Sequence, residues 1–201
     1  MLATLPHMAA DPTPSALRSE VPAAALAVVE LLNSRPHATP LSADALDDPQ
    51  AAKRITGLFT PAAEEHSSGR RLTRVRELRS DLMAAVTAAD ADEAAAAWAA
   101  FTEHVAAARF RQVFTADSVE QRQEAGNPVV GGIALAVAEL VVSGAWRRIR
   151  LCANKDCTHA FYDLTRSRTQ RWHSYEVCGN RSNVAAYRAR KSKAAPLSAG
   201  R

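Results

Sequence analysis

Cys152-Ala153-Asn154-Lys155-Asp156-Cys157, then fifteen residues, then His173-Ser174-Tyr175-Glu176-Val177-Cys178-Gly179-Asn180-Arg181: this stretch decides how the C-terminal part of the chain folds. In each half two donors stand four residues apart, and the chain's 3 cysteines all lie within it. Thiolate sulfur and imidazole nitrogen are the donors Zn²⁺ prefers, and four of them close a tetrahedral structural site with no position left for chemistry. Two donors, a loop and two more donors is the order in which a short chain wraps one ion. A segment of about 45 residues has too little apolar surface for a core of its own, so a metal supplies what packing cannot.

Buried thiols that pack as small hydrophobes are the competing explanation. The residues around the cysteines argue against it: Asn154, Lys155, Asp156 and Thr158 on one side, Asn180, Arg181 and Ser182 on the other. An odd cysteine count does not make a disulfide framework, and the N-terminus reads without a secretory signal, so a cytoplasmic location is expected. His159 competes with His173 for the fourth position. A donor two residues from Cys157 closes a tetrahedron poorly, whereas a four-residue gap allows a turn around the ion, so the ligand set is Cys152, Cys157, His173 and Cys178. One structural Zn²⁺ is the expected cofactor. Three thiolates and one neutral imidazole leave a charge of −1, which Arg171 and Arg181 are placed to offset.

The segment resembles the CGNR zinc-finger family. The resemblance lies in Arg148-Ile149-Arg150-Leu151-Cys152, Cys157, Phe161-Tyr162-Asp163, Ser167-Arg168, Arg171-Trp172-His173, Cys178-Gly179-Asn180-Arg181 and Ala186-Tyr187-Arg188-Ala189-Arg190. It departs from the family at His173, where cysteine is usual. The resemblance implies that the finger follows an alanine-rich helical domain of the type called ABATE, in proteins that look like stress-related transcription regulators.

Charge points the same way without the family. Residues 147–201 carry a balance of +10, residues 1–146 one of −6, within a net charge of +4. Such asymmetry suggests a nucleic-acid or other anionic partner for the basic part, against the plainer reading of a solvated tail. The segment Gly179 to Lys193 contains no proline and is rich in Ala and Arg, so it reads as a helix. On that helix Arg181, Val184, Arg188 and Lys191 share one face, with Asn183, Tyr187 and Arg190 in the next stripe. Arginine can bond guanine edges or phosphates, and asparagine adenine. The candidate DNA contacts are therefore Arg166, Arg168 and Arg171 in the loop, and Arg181, Asn183, Arg188, Arg190 and Lys191 on the helix. Against these stand structural roles: Asn180 bracing the metal knuckle, Tyr187 packing on Trp172, and Gly179 giving close approach beside the ion.

The remainder reads as mainly α. Helical patterns cover 21–33, 48–58, 70–88 and 91–108, the last capped by Asp90 or Asp92, and Pro128 opens a buried helix that Ser143-Gly144 ends. Residues 109–124 read as a short β-hairpin. A short strand over Arg148–Leu151 leads into the first knuckle. The expected architecture is an N-terminal orthogonal helical domain over 19–145, joined without a flexible linker at Trp146 to a small zinc-finger module over 146–193 of short strands and a basic helix. Residues 1–18 and 194–201 read as disordered. Gly131-Gly132 indicates close helix packing, and Arg70, Arg71, Arg74, Arg76 and Arg79 read as a solvated helix face. His37, His66 and His104 are scattered, and no catalytic or phosphate-binding motif occurs. No run is long enough to span a membrane.

The function expected from these features is that of a bacterial, non-enzymatic, zinc-dependent DNA-binding regulator. Its partner is double-stranded DNA, with the helical domain sensing a small-molecule effector or forming a homodimer. The alternative is a zinc-stabilised module that grips an acidic protein surface.

Overall fold

A computed structural model of the chain describes residues 21–38, 41–60 and 69–194. The disorder expected over 1–18 and beyond Ala194 lies outside these residues, as does His66. Among the described residues the helices are α1 (Ala23–Asn33), α2 (Pro49–Gly57), α3 (Gly69–Thr87), α4 (Ala91–Val105), α5 (Pro128–Val142) and α6 (Asn180–Ala194).

Their ends follow from local chemistry. The Asp48 carboxylate accepts from the Ala51 amide with Pro49 in the first turn, and Asp90 accepts from the Glu93 amide at the start of α4. Asn127 caps α5 by accepting from Val129 and Val130, ahead of Pro128. Each device satisfies amides that have no partner within the helix. The chain leaves α5 through Gly144, whose φ of 70° is the left-handed conformation that glycine adopts at least cost.

α1, α3 and α5 share a core in which Leu31, Leu32, Val75, Leu78, Leu82, Ile133 and Leu140 are fully buried. α4 lies along α3 and brings Trp98 edge-on to Phe101 and to Trp146, with ring centroids 5.9 and 4.9 Å apart. The Gly131-Gly132 pair is a close packing point, though against the turn after α2 and the Gln123 side chain rather than against another helix as expected. A Cβ on Gly132 would sit 1.9 Å from the Phe59 carbonyl oxygen, and one on Gly131 1.9 Å from Gln123 Oε1.

The expected hairpin forms from β3 (Arg109–Phe114) and β4 (Val119–Ala125), after a two-residue pair β1 (His37–Ala38) and β2 (Leu41–Ser42). Its alternation is weak in sequence because neither face is fully covered. Phe114 and Val119, paired at the tip, both stay exposed. A third antiparallel pair, β5 (Ile149–Leu151) and β6 (Ala160–Tyr162), frames the first metal knuckle. Ile149 and Ala160 are buried in the same cluster as the helices, so this hairpin is built onto the helical core.

Arg76 and Arg79 of α3 depart from the expected solvated face, while Arg74 keeps to it. Arg79 is only 6% exposed and binds Asp44 through two bonds of 2.8 and 2.5 Å and Ser34 Oγ at 2.8 Å. Arg76 reaches Asp44 and Asp47, and Arg74 pairs with Glu77 one turn on. Asp44 lies 35 residues from Arg79, so a helical wheel of α3 alone cannot show the partner.

Candidate metal centre

β5 delivers Cys152 to the site, and the Cys152 amide donates to the His159 carbonyl at 2.8 Å across the knuckle. Between them the chain turns on Asn154, whose carbonyl accepts from the Cys157 amide at 2.9 Å. Thr158 then takes a φ of 50°, which a β-branched residue adopts only under constraint.

The loop that follows is organised by Asp163, which is fully buried. Its Oδ1 accepts from the Thr165 amide and hydroxyl at 2.8 and 2.5 Å. Its Oδ2 accepts from the Gln170 amide at 3.0 Å and from Arg150 Nη1 at 3.3 Å. Burial opposes its charge, yet these donors hold the carboxyl below the usual carboxylate range. The loop returns when the Ala153 amide donates to the Arg171 carbonyl at 2.7 Å, which sets His173 beside the cysteines. Ser174 next opens a single π-type turn, Tyr175–Gly179, accepting from the Val177 amide through its hydroxyl and from the Cys178 amide through its carbonyl. That turn presents Cys178 and runs straight into α6.

The four donors predicted from spacing converge. The donor atoms of Cys152, Cys157, His173 and Cys178 lie within 4.8 Å of one another, and all three cysteines are buried. His173 Nδ1 is 3.4 Å from Cys157 Sγ and 3.8 Å from Cys178 Sγ. A zinc tetrahedron with bonds near 2.3 Å to sulfur and 2.0 Å to nitrogen has S···N edges of about 3.5 Å. The cluster therefore fits one such ion, with Nδ1 as the imidazole donor.

Electrostatics divides the thiols. Burial pushes Cys157 up to about 11, helped by the neighbouring thiols. Burial also opposes ionisation of Cys178, but a 3.5 Å bond from the Asn154 amide, the adjacent thiols and the Arg181 charge hold it below its ordinary value. Burial lowers His173, which favours the neutral, metal-binding imidazole. His159 stays out of the cluster, as its spacing indicated. Its ring lies between those of His37 and His173, with centroids 5.6 and 4.7 Å away, and burial with its cationic neighbours lowers it to about 4.

The knuckle is braced by other residues than those the sequence indicated. Asn154, not Asn180, donates to a ligand sulfur, and Asn180 is exposed at the start of α6. Trp172 meets Tyr175 edge-on at 5.8 Å and carries the Arg171 guanidinium 5.2 Å from its ring centre, while Tyr187 is exposed. Gly179 gives close approach to the Tyr175 ring, since a Cβ there would come within 2.7 Å of Tyr175 Cδ2. Asp163, Asn154 and Asn33 were missed as site residues. Only Asp163 carried a signal, a carboxylate two residues after apolar Phe161 with threonine two positions on.

Arg166, Arg168 and Arg171 are exposed on the loop, and Arg181, Asn183, Arg188, Arg190 and Lys191 are exposed on α6. The Asn183 amide donates to the Tyr175 hydroxyl at 3.2 Å. α6 packs chiefly on the π-turn from which it grows, and its first turns face Asn154 and Lys155 of the first knuckle across an open groove. No helix among the described residues is long and apolar enough to cross a membrane.

No curated protein matches the chain. Residues 148–191 match the family model of the CGNR zinc finger, and the donor set they carry is positioned to hold one metal ion, for which Zn²⁺ fits.

Proposed function

We propose that the protein is a zinc-dependent, DNA-binding transcriptional regulator. The observation that carries this reading is the placement of α6: it leaves Cys178-Gly179 without a break and exposes Arg181, Arg188, Arg190 and Lys191. A metal centre at its root fixes the direction of such a helix, and free basic side chains along it suit a groove lined by phosphates. Arg166 and Arg168 extend the same basic surface onto the loop. The reading is non-enzymatic, because four protein donors saturate a tetrahedral ion.

The helical domain, which the finger's family resemblance implies is of the ABATE type, acts in this reading as the sensing or dimerising part. A cavity of about 240 Å³ between α1, the end of α2 and α5 offers room for a small effector. Its lining is mostly small and apolar, Ala23, Ala27, Leu58, Phe59 and Ala136, with one carboxylate, Glu139.

The test is duplex DNA binding by the zinc-loaded full chain across a salt series. Affinity should fall steeply with salt, and Arg188→Ala and Lys191→Ala should each flatten the log–log slope by about one unit where they meet phosphate. Absence of DNA affinity at low salt would transfer the finger to an acidic protein partner.

A further inference from the structure

Asn33 at the end of α1, Arg35 just beyond it and His37 in β1 reach the three residues that follow the ligand Cys157. Asn33 Oδ1 accepts from the Ala160 amide at 2.8 Å, and Asn33 Nδ2 donates to the Ala160 carbonyl at 2.9 Å, so the side chain pairs with Ala160 as a neighbouring strand would. The second Nδ2 hydrogen points to His159 Nε2 at 3.0 Å, which places the His159 proton on Nδ1. Arg35 Nη2 donates to the Thr158 carbonyl and, at 3.1 Å, to its hydroxyl. That grip falls on the one residue of the knuckle held at positive φ. The His159 ring lies near both His37 and the ligand His173, with centroids 5.6 and 4.7 Å away. The helical side of this contact is itself anchored, since Ser34, between Asn33 and Arg35, is 3% exposed and accepts from Arg79.

We infer that Asn33 and Arg35 are positioning residues of the metal centre, and that the helical domain forms its outer wall. They lie far outside the stretch matched by the finger family. Through Thr158 they hold the backbone on the exit side of Cys157, and through His159 they fix the ring against which His173 stacks. Groups bonded directly to metal ligands change metal affinity by about 10–100-fold when removed, and Asn33 and Arg35, which act through the residues next to Cys157, belong at the lower end of that range. Linkage makes the effect mutual: an ion that prefers the docked knuckle also favours the docked end of α1. The inference rests on zinc occupying the cluster and is independent of what the finger binds.

The experiment measures zinc transfer from the full-length, zinc-loaded chain to a chromophoric chelator, together with the visible spectrum of the cobalt(II)-substituted protein. Asn33→Ala and Arg35→Ala should each release zinc at least about tenfold faster than the parent, and Asn33→Ala should shift the cobalt bands that report ligand geometry. Val137→Ala weakens the helical core without touching the contact, and should leave both readouts at parental values. Arg35 is half-buried at the rim of the contact and outside the apolar core, so its substitution should leave a folded protein even where Asn33→Ala does not. Parental release rates in Asn33→Ala and Arg35→Ala would overturn the inference. Equal acceleration in Val137→Ala would overturn it too, by tracing the effect to general stability. DNA binding enters none of these readouts, so a failure here leaves the proposed function standing.

Discussion

Arg79 and Asp44 form a two-point ion pair in the interior, Nη1 to Oδ1 at 2.8 Å and Nη2 to Oδ2 at 2.5 Å, with side chains 8% and 12% exposed. Asp44 also caps the short 3₁₀ turn Ala45–Asp47 by accepting from the Leu46 amide. The pair thus joins α3, the loop before α2 and, through Ser34, the end of α1. Removing one partner leaves the other charged and buried, which costs more than the pair contributes as a unit. Arg79→Met should destabilise the chain by about 3–5 kcal/mol in chemical denaturation. A loss below about 1 kcal/mol, the range of surface pairs, would show that Asp44 finds another donor or water.

Metal retention should separate the two neighbouring histidines. His173→Ala removes a donor from the cluster and should lower zinc content of gently purified protein well below one equivalent. His159→Ala leaves all four donors in place and should keep zinc near one equivalent, with faster release because the His173 ring loses its neighbour. Elemental analysis of both variants decides this. Loss of metal from His159→Ala with retention in His173→Ala would reverse the ligand assignment.

Acid should take the molecule apart in two steps. Zinc requires deprotonated thiols, and burial makes the Cys157 proton a strong competitor for the site. Asp44 titrates later. Burial opposes its charge, but the Arg79 bonds outweigh this and hold the carboxyl below the ordinary range. A carboxyl depressed in the folded state gives its full stabilisation above the unfolded value of about 3.9, and loses it as pH falls through the folded value. Released zinc should therefore appear at a higher pH than loss of helical circular dichroism. Asp44→Asn should remove acid sensitivity from the second step alone. Helix loss ahead of zinc release would contradict this order.

The metal ligands were legible because donor type and spacing are local properties of the chain, and the helices because caps and apolar periodicity are local too. Asp90 and Pro128 mark helix starts that the structure confirms within a residue or two, whereas the cap Asn127 is seen only in the structure. What escaped was long-range. Asn33 pairs with a residue 127 positions away, and Arg79 with one 35 positions away, so each reads in isolation as an ordinary polar helix residue. β6 escaped because three residues, Ala160, Phe161 and Tyr162, are too few to show a period. His37 looked incidental because its neighbour is equally distant in sequence: its ring centre lies 5.6 Å from that of His159.

Duplex DNA binding by the full chain, measured before and after zinc removal at fixed pH and salt, bears most directly on the link between metal centre and function. The charges of α6 are the same in both states, so only the anchoring of the helix changes. Removal of zinc should abolish preference among duplex sequences and leave a weak affinity that vanishes as salt rises toward physiological strength. Equal affinity and equal preference in the zinc-loaded and zinc-free protein would show that the metal centre does not organise the DNA-binding surface.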